Sequence, residues 1–115
     1  MGNALKPSVF RSVLTLYTSS KKEMRDFLTQ LTALIADRKI NPKPGSYTNQ
    51  LLMDHRKAAQ KIGEEATEVV IAALTQSDER LIEEMADLIY HSLVLLETRD
   101  LSWHDIINEL EKRHH

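Results

Sequence analysis

The sequence contains no cysteine. That removes disulfides, cysteine-ligated zinc, iron–sulfur clusters and thiol catalysis from its chemistry, and it fits a cytoplasmic setting. It also lacks a surplus of either charge: 15 Lys and Arg face 17 Asp and Glu, a formal net charge of −2. Neither a nucleic-acid footprint nor a polyanionic tail is implied, so any charge-based function must be local. No apolar run approaches the length that spans a bilayer, and the first residues lack the basic-then-apolar layout of a secretory signal, so no membrane partner is expected. MGNALK opens like a myristoylation signal, but Lys6 stands where Ser or Thr is wanted. The HExxH pattern and the Gly-rich phosphate loops of nucleotide-binding α/β folds are missing, as are internal repeats and low-complexity segments.

What is present is helical periodicity. In SKKEMRDFLTQLTALIADRK, Met24, Phe27, Leu28, Leu31, Leu34 and Ile35 follow the spacing of one buried helix face, behind a Ser20/Glu23 capping box. Pro42, Pro44 and Gly45 in NPKPGS stop that helix. A second helical region is expected from about Thr48 to Leu74, with Ile62, Ala66, Val69 and Ala73 as its seam. Ser77 caps a third helix, to about Thr98, with Asp78 and Glu79 in its first turn. This helix is apolar over most of its circumference and so belongs at the centre of a bundle or at a subunit interface. Ser102, with Asp105 three residues on, opens a fourth that carries Trp103, Ile106, Ile107 and Leu110 on one face. The expected fold is all-α, a bundle of about four to five helices. At 115 residues the chain suits one domain, over 20–115, preceded by an arm over 1–19 that reads equally as strand, helix or a segment packing on a partner chain.

Two clusters of carboxylates lie against the most apolar segments. In KIGEEATEVVIAA, Glu64 and Glu68 project ~40° apart and Glu65 and Glu68 ~60° apart at ~100° per residue. In LIEEMADLIYHSLVLL, Glu84 and Asp87 stand one turn apart. Like charges at that spacing repel, and withdrawing them from water beside Ala, Val and Leu is unfavourable without a cation. Two readings follow. The acids face solvent and pair with Lys57, Lys61 and Arg80, or they gather a hard divalent ion, for which Mg²⁺, with its preference for oxygen ligands, is the natural candidate. Asp87 favours the second, because it is a poor mid-helix residue in an otherwise apolar run with no cap to serve. His91, a turn later, either orients that carboxylate, moves a proton, or simply satisfies the Asp. A di-iron bundle would need Glu-x-x-His on two helices, and only Glu111 to His114 shows it. Arg38, Lys39, Arg56, Lys57 and Lys61 are cations that could hold a polyphosphate beside such an ion.

Three blocks, DRKINPKPGSYTNQLL, KIGEEATEVVIAAL and LIEEMADLIYHSLVLL, together resemble the phosphoribosyl-ATP pyrophosphatase family, within the all-α nucleotide pyrophosphohydrolases typified by MazG. The resemblance covers roughly residues 24 to 114. Glu-Glu-x-x-Glu followed by Glu-x-x-Asp marks the superfamily, while SYT and ADLxYH mark this member. It implies Mg²⁺-dependent hydrolysis of phosphoribosyl-ATP to phosphoribosyl-AMP and pyrophosphate, the second step of histidine biosynthesis. By motif, Glu65, Glu68, Glu84 and Asp87 become metal ligands, and Glu64 a further ligand or the group that positions the attacking water. Arg38, Lys39, Ser46, Tyr47, Thr48, Lys61 and His91 become substrate contacts. It also implies a homodimer that completes the bundle, and a separate phosphoribosyl-AMP cyclohydrolase as pathway neighbour. His55 departs from the glycine of many relatives, and Met85 enlarges a position that is often small.

The glutamates alone leave a house-cleaning hydrolase of free nucleoside triphosphates open, and only SYT and ADLIYH speak against it. A non-catalytic helical dimerisation module would predict no Mg²⁺ binding and no effect of Asp87→Asn.

Overall fold

The computed structural model describes residues 27–114. The arm over 1–19, the Ser20/Glu23 capping box and Met24 lie outside the described residues. Within them there are five helices and no strand, so the fold is all-α as expected. Helix α1 occupies 27–40, followed by α2 (Tyr47–Leu52), α3 (His55–Thr75), α4 (Asp78–Glu97) and α5 (Trp103–Arg113). Residues 32–115 belong to one compact unit, and the site described below lies within it.

Local chemistry explains where each helix begins and ends. After α1, Ser46 N–H bonds the Lys43 carbonyl at 3.0 Å across Pro44 and Gly45, and Gly45 has φ +79°. Proline then glycine at the two central positions is the demand of a type II turn, which requires a left-handed residue in the second place. Ser46 caps α2 by accepting from Asn49 N–H. Ser77 caps α4 by accepting from Arg80 N–H at 3.2 Å, and Asp78 and Glu79 fill its first turn. Ser102 N–H is held by the Asp105 carboxylate at 2.8 Å, so the expected start of α5 is present. At the end of α4, Asp100 adopts φ +57° and Leu101 N–H reaches back to the Leu96 carbonyl at 2.9 Å, a Schellman closure.

The expected helix from Thr48 to Leu74 is two helices. Met53 ends α2, and the Asp54 carboxylate accepts from Lys57 N–H at 3.2 Å to start α3 afresh. The aspartate outcompetes helix continuation because its short side chain bonds the backbone locally. The seam of α3 keeps three of its four expected positions. Ala58 and Ala72 are buried, Ile62, Glu65, Ala66 and Val69 half-buried, and Ala73 is exposed. Positions 58, 62, 65, 66, 69 and 72 are therefore the packed stripe, with a glutamate near its centre. Helix α4 packs most extensively on α3, and α2 lies against both. Its buried residues are Glu84, His91, Leu93 and Val94, while Leu51 of α2 and Ile35 of α1 complete the core.

Candidate active site

Because α3 and α4 pack along their stripes, the acids on those stripes meet. Ligand oxygens of Glu65, Glu84 and Asp87 all lie within 4.8 Å of one another. Glu84 is only 6% exposed, Glu65 half-buried, and Asp87 open to solvent, so the group has a wet side and a dry side. Glu68 is exposed and stands outside this group.

Two cations offset the repulsion. Lys61 Nζ lies 3.3 Å from both Glu64 Oε1 and Glu65 Oε1, and the Arg80 guanidinium forks between Glu83 and Glu84. Desolvation acts most strongly on Lys61, and downward, but bonds to Glu64 and Glu65 and the fields of Tyr47 and Glu64 outweigh it and raise its pKa. Arg80 is raised too, chiefly by its bond to Glu83 and by the charge of Glu84. Glu64 is held below the usual carboxylate range, first by the Gln60 amide at 2.7 Å and then by Lys61. The pairing with Lys61 and Arg80 that the plain surface reading anticipated is thus present together with the clustering, and neither excludes the other.

The donor set suits a hard ion. It is all oxygen, without sulfur or imidazole, as Mg²⁺ or Mn²⁺ prefers and Zn²⁺ does not. Oxygens on opposite sides of Mg²⁺ stand ~4.2 Å apart at ~2.1 Å per bond, close to the observed spread of up to 4.8 Å.

Around the acids, α2 supplies a wall. The hydroxyl of Tyr47 lies 3.0 Å from His91 Nε2, and Thr48 Oγ1 bonds the Tyr90 hydroxyl. His91 is buried, and its Nδ1 lies 2.7 Å from the backbone carbonyl of Asp87. Of the readings left open for His91, neither orienting nor satisfying the Asp87 carboxylate is what the ring does: it bonds the Asp87 backbone. Both its nitrogens are engaged within the protein, so Tyr47 rather than His91 faces outward.

Asn49 was not singled out in the sequence, yet it organises this wall. It is 8% exposed, accepts from Lys43 N–H at 2.8 Å and donates to the Arg38 carbonyl at 2.7 Å. One side chain thereby fixes the α1 end and the turn beside α2. Its signal was its place in SYTN, one residue beyond the block that drew attention. Arg38 itself is partly exposed, with Asp37 at 3.9 Å.

Lys39 is elsewhere. Its ammonium donates to the Glu97 carbonyl at 2.9 Å and also meets the Asp100 carboxylate. Glu97 lies ten residues beyond Asp87 on α4, roughly 15 Å at ~1.5 Å per residue. The structure thus places Lys39 at the far end of α4 as a tie, not beside the carboxylates.

The phosphoribosyl-ATP pyrophosphohydrolase family model matches residues 28–114. The chain belongs to this family. It is similar to a phosphoribosyl-ATP pyrophosphatase of Methanocella arvoryzae, 46% identical over 94 residues that span 78% of this chain and 98% of the relative. A phosphoribosyl-ATP pyrophosphatase of Clostridium acetobutylicum is 46% identical over 92 residues, 79% of this chain and 84% of that one. A histidine biosynthesis bifunctional protein HisIE of Caldanaerobacter subterraneus is 44% identical over 107 residues, 90% of this chain but 52% of its own length. Among phosphoribosyl-ATP pyrophosphohydrolases, then, this chain corresponds to a whole protein in some relatives and to about half of one in another. Both the acidic cluster and the α2 wall lie inside the matched region.

Proposed function

We infer that the protein hydrolyses phosphoribosyl-ATP to phosphoribosyl-AMP and pyrophosphate in histidine biosynthesis. The observation that carries the reading is the meeting of Glu65, Glu84 and Asp87 within a chain of this family. Glu65, Glu84 and Asp87 would hold Mg²⁺, and Glu68, one turn beyond Glu65 and outside their group, would join them by a turn of its exposed side chain. When bound, Mg²⁺ neutralises charge on the polyphosphate and acidifies a coordinated water. The chain's own residues do the rest. Lys61 and Arg80 pair with Glu65 and Glu84 and offset the repulsion between the acids. Glu64 stays ionised through Gln60 and Lys61 and remains exposed, so it can accept the proton lost by the attacking water. Lys61, free to turn from Glu64 toward an incoming phosphate, and the Ser46–Thr48 wall would place the substrate.

A second copy of this chain is the partner we propose. Val70, Ile71 and Leu74 on α3 and Ile82 and Met85 on α4 are exposed apolar side chains, and they flank the short turn joining the two helices. A homodimer would cover them. The doubled length of the bifunctional relative supports a neighbouring activity, a phosphoribosyl-AMP cyclohydrolase, acting on the product. No helix among the described residues is long and apolar enough to cross a membrane, and a cytoplasmic location agrees with that.

Pyrophosphate release should be measured from phosphoribosyl-ATP with Mg²⁺, with dCTP, dUTP and ATP alongside. Metal-dependent preference for phosphoribosyl-ATP is expected. Preference for a free triphosphate would move the protein to house-cleaning hydrolysis, and no release from any of them would leave a binding module.

A further inference from the structure

Tyr47 combines exposure with restraint. It is 42% exposed, whereas Tyr90 and Trp103 are half-buried, yet its hydroxyl is committed to buried His91. The direction of that bond follows from the other end of the ring. His91 Nδ1 faces the Asp87 carbonyl at 2.7 Å, which can only accept, so Nδ1 carries the proton. In the neutral imidazole Nε2 is then the acceptor, and Tyr47 O–H donates to it. The two rings meet edge to face, with centroids 5.8 Å apart and planes at 78°. The next residue, Thr48, is joined to Tyr90, so two successive residues of α2 are fastened to two successive residues of α4. What remains open to solvent is an aromatic ring whose orientation is set before any ligand arrives.

Its position matters equally. His91 stands one turn beyond Asp87 on α4, and Lys61, which holds Glu65, lies within electrostatic reach of Tyr47. The ring therefore borders the carboxylates that would take the polyphosphate. A nucleotide with its phosphates there must put its base somewhere nearby, and a base has a π-face that stacks on an aromatic side chain without needing specific hydrogen bonds. A ring already immobilised loses little further freedom on stacking.

We propose that Tyr47 is a stacking platform for the purine base of the substrate, with His91 as the residue that positions it. The proposal rests on the reading of the site as one for phosphoribosyl-ATP. The phenol hydroxyl serves orientation, and the ring makes the contact.

Calorimetric titration of the full chain with Mg²⁺ and either α,β-methylene-ATP or inorganic tripolyphosphate separates the base from the phosphates. General damage to the site weakens both ligands and cancels in their ratio. Tyr47→Phe and Tyr47→Trp are expected to keep the nucleotide-over-tripolyphosphate ratio within about threefold of the wild type, and Tyr47→Leu to lower it about tenfold, the order seen when a stacking ring is removed. An unchanged ratio in Tyr47→Leu overturns the platform while hydrolysis of phosphoribosyl-ATP stands. An equal fall in Tyr47→Phe assigns recognition to the hydroxyl and overturns it too. Failure of the wild type to bind either ligand overturns the platform together with the reading beneath it.

Discussion

Glu65 of α3 and Glu84 of α4 occupy the stripes along which their helices pack, places their helices otherwise give to Ala58, Ala72, Leu93 and Val94. Two acids inside a helix pair destabilise it unless cations attend them, and Lys61 and Arg80 do so. The arrangement gives up stability for a local negative potential, as functional sites often do.

Asp87→Asn and Glu84→Gln keep the shape of the cluster and remove one charge from it. Asp87→Asn should fold, with a melting temperature in EDTA equal to or above that of the wild type, because repulsion is relieved. Both variants should lose about 100-fold or more in turnover. If Mg²⁺ binds the cluster, it should stabilise the wild type by about 2.7 kcal/mol at a concentration 100 times Kd, seen as a rise in melting temperature that both variants lose. Scanning calorimetry with and without Mg²⁺ decides this, and normal turnover in Asp87→Asn would remove that residue from the site.

Asn49→Leu strands two polar groups, Lys43 N–H and the Arg38 carbonyl, that the amide now satisfies. An unpaired group costs ~1–3 kcal/mol when fully buried; these two are only partly buried, so a loss of about 2 kcal/mol in urea unfolding is expected. Proteolysis within 41–46 should accelerate as well. Unfolding indistinguishable from the wild type would mean the turn is held by its proline and glycine alone.

Lys39 has its pKa raised by the bond to Asp100 first, with burial opposing and Glu97 adding. A raised value in the folded state means the tie contributes fully below the unfolded lysine pKa, 10.5, and is lost as pH climbs through the folded one. Lys39→Met should therefore be less stable at neutral pH and show a shallower decline at alkaline pH than the wild type, with KM unchanged. A raised KM would return Lys39 to the substrate site.

Glu64 is shifted the other way. Its lowered pKa contributes stability above the unfolded carboxylate value, and that contribution disappears as pH falls through the folded one. Gln60→Leu removes the largest cause of the lowering, so the acid limb of kcat/KM should move to higher pH if Glu64 accepts the proton. An unmoved limb would assign that step to another group.

Leu74→Glu places a charge in the exposed apolar patch at the α3–α4 turn. If that patch joins two copies, light scattering should show a shift from dimer toward monomer at micromolar protein. An unaltered mass would locate the interface elsewhere.

Periodicity and caps made most of the helices legible. Ser77, Ser102 and the Pro-Gly turn mark boundaries through bonds between near neighbours in the chain, and such signals survive without tertiary context. Asp54 carried the same kind of signal, a short acidic side chain that bonds Lys57 N–H and starts α3 afresh. The expected seam of α3, Ile62, Ala66, Val69 and Ala73, holds at its first three positions and misses Glu65, because a search for apolar residues passes over a glutamate that packing counts as a seam position.

The sequence by itself determined the all-α class, the family and the acid types available, because helix spacing, capping and motif order are properties of neighbours along the chain. Only the tertiary structure decided which acids meet. It gathered Glu65, Glu84 and Asp87 and left Glu68 outside, turned His91 onto the backbone of Asp87, and sent Lys39 to the far end of α4. Those outcomes depend on how α1, α2, α3 and α4 pack, and packing joins residues whose separation in sequence carries no information about their distance.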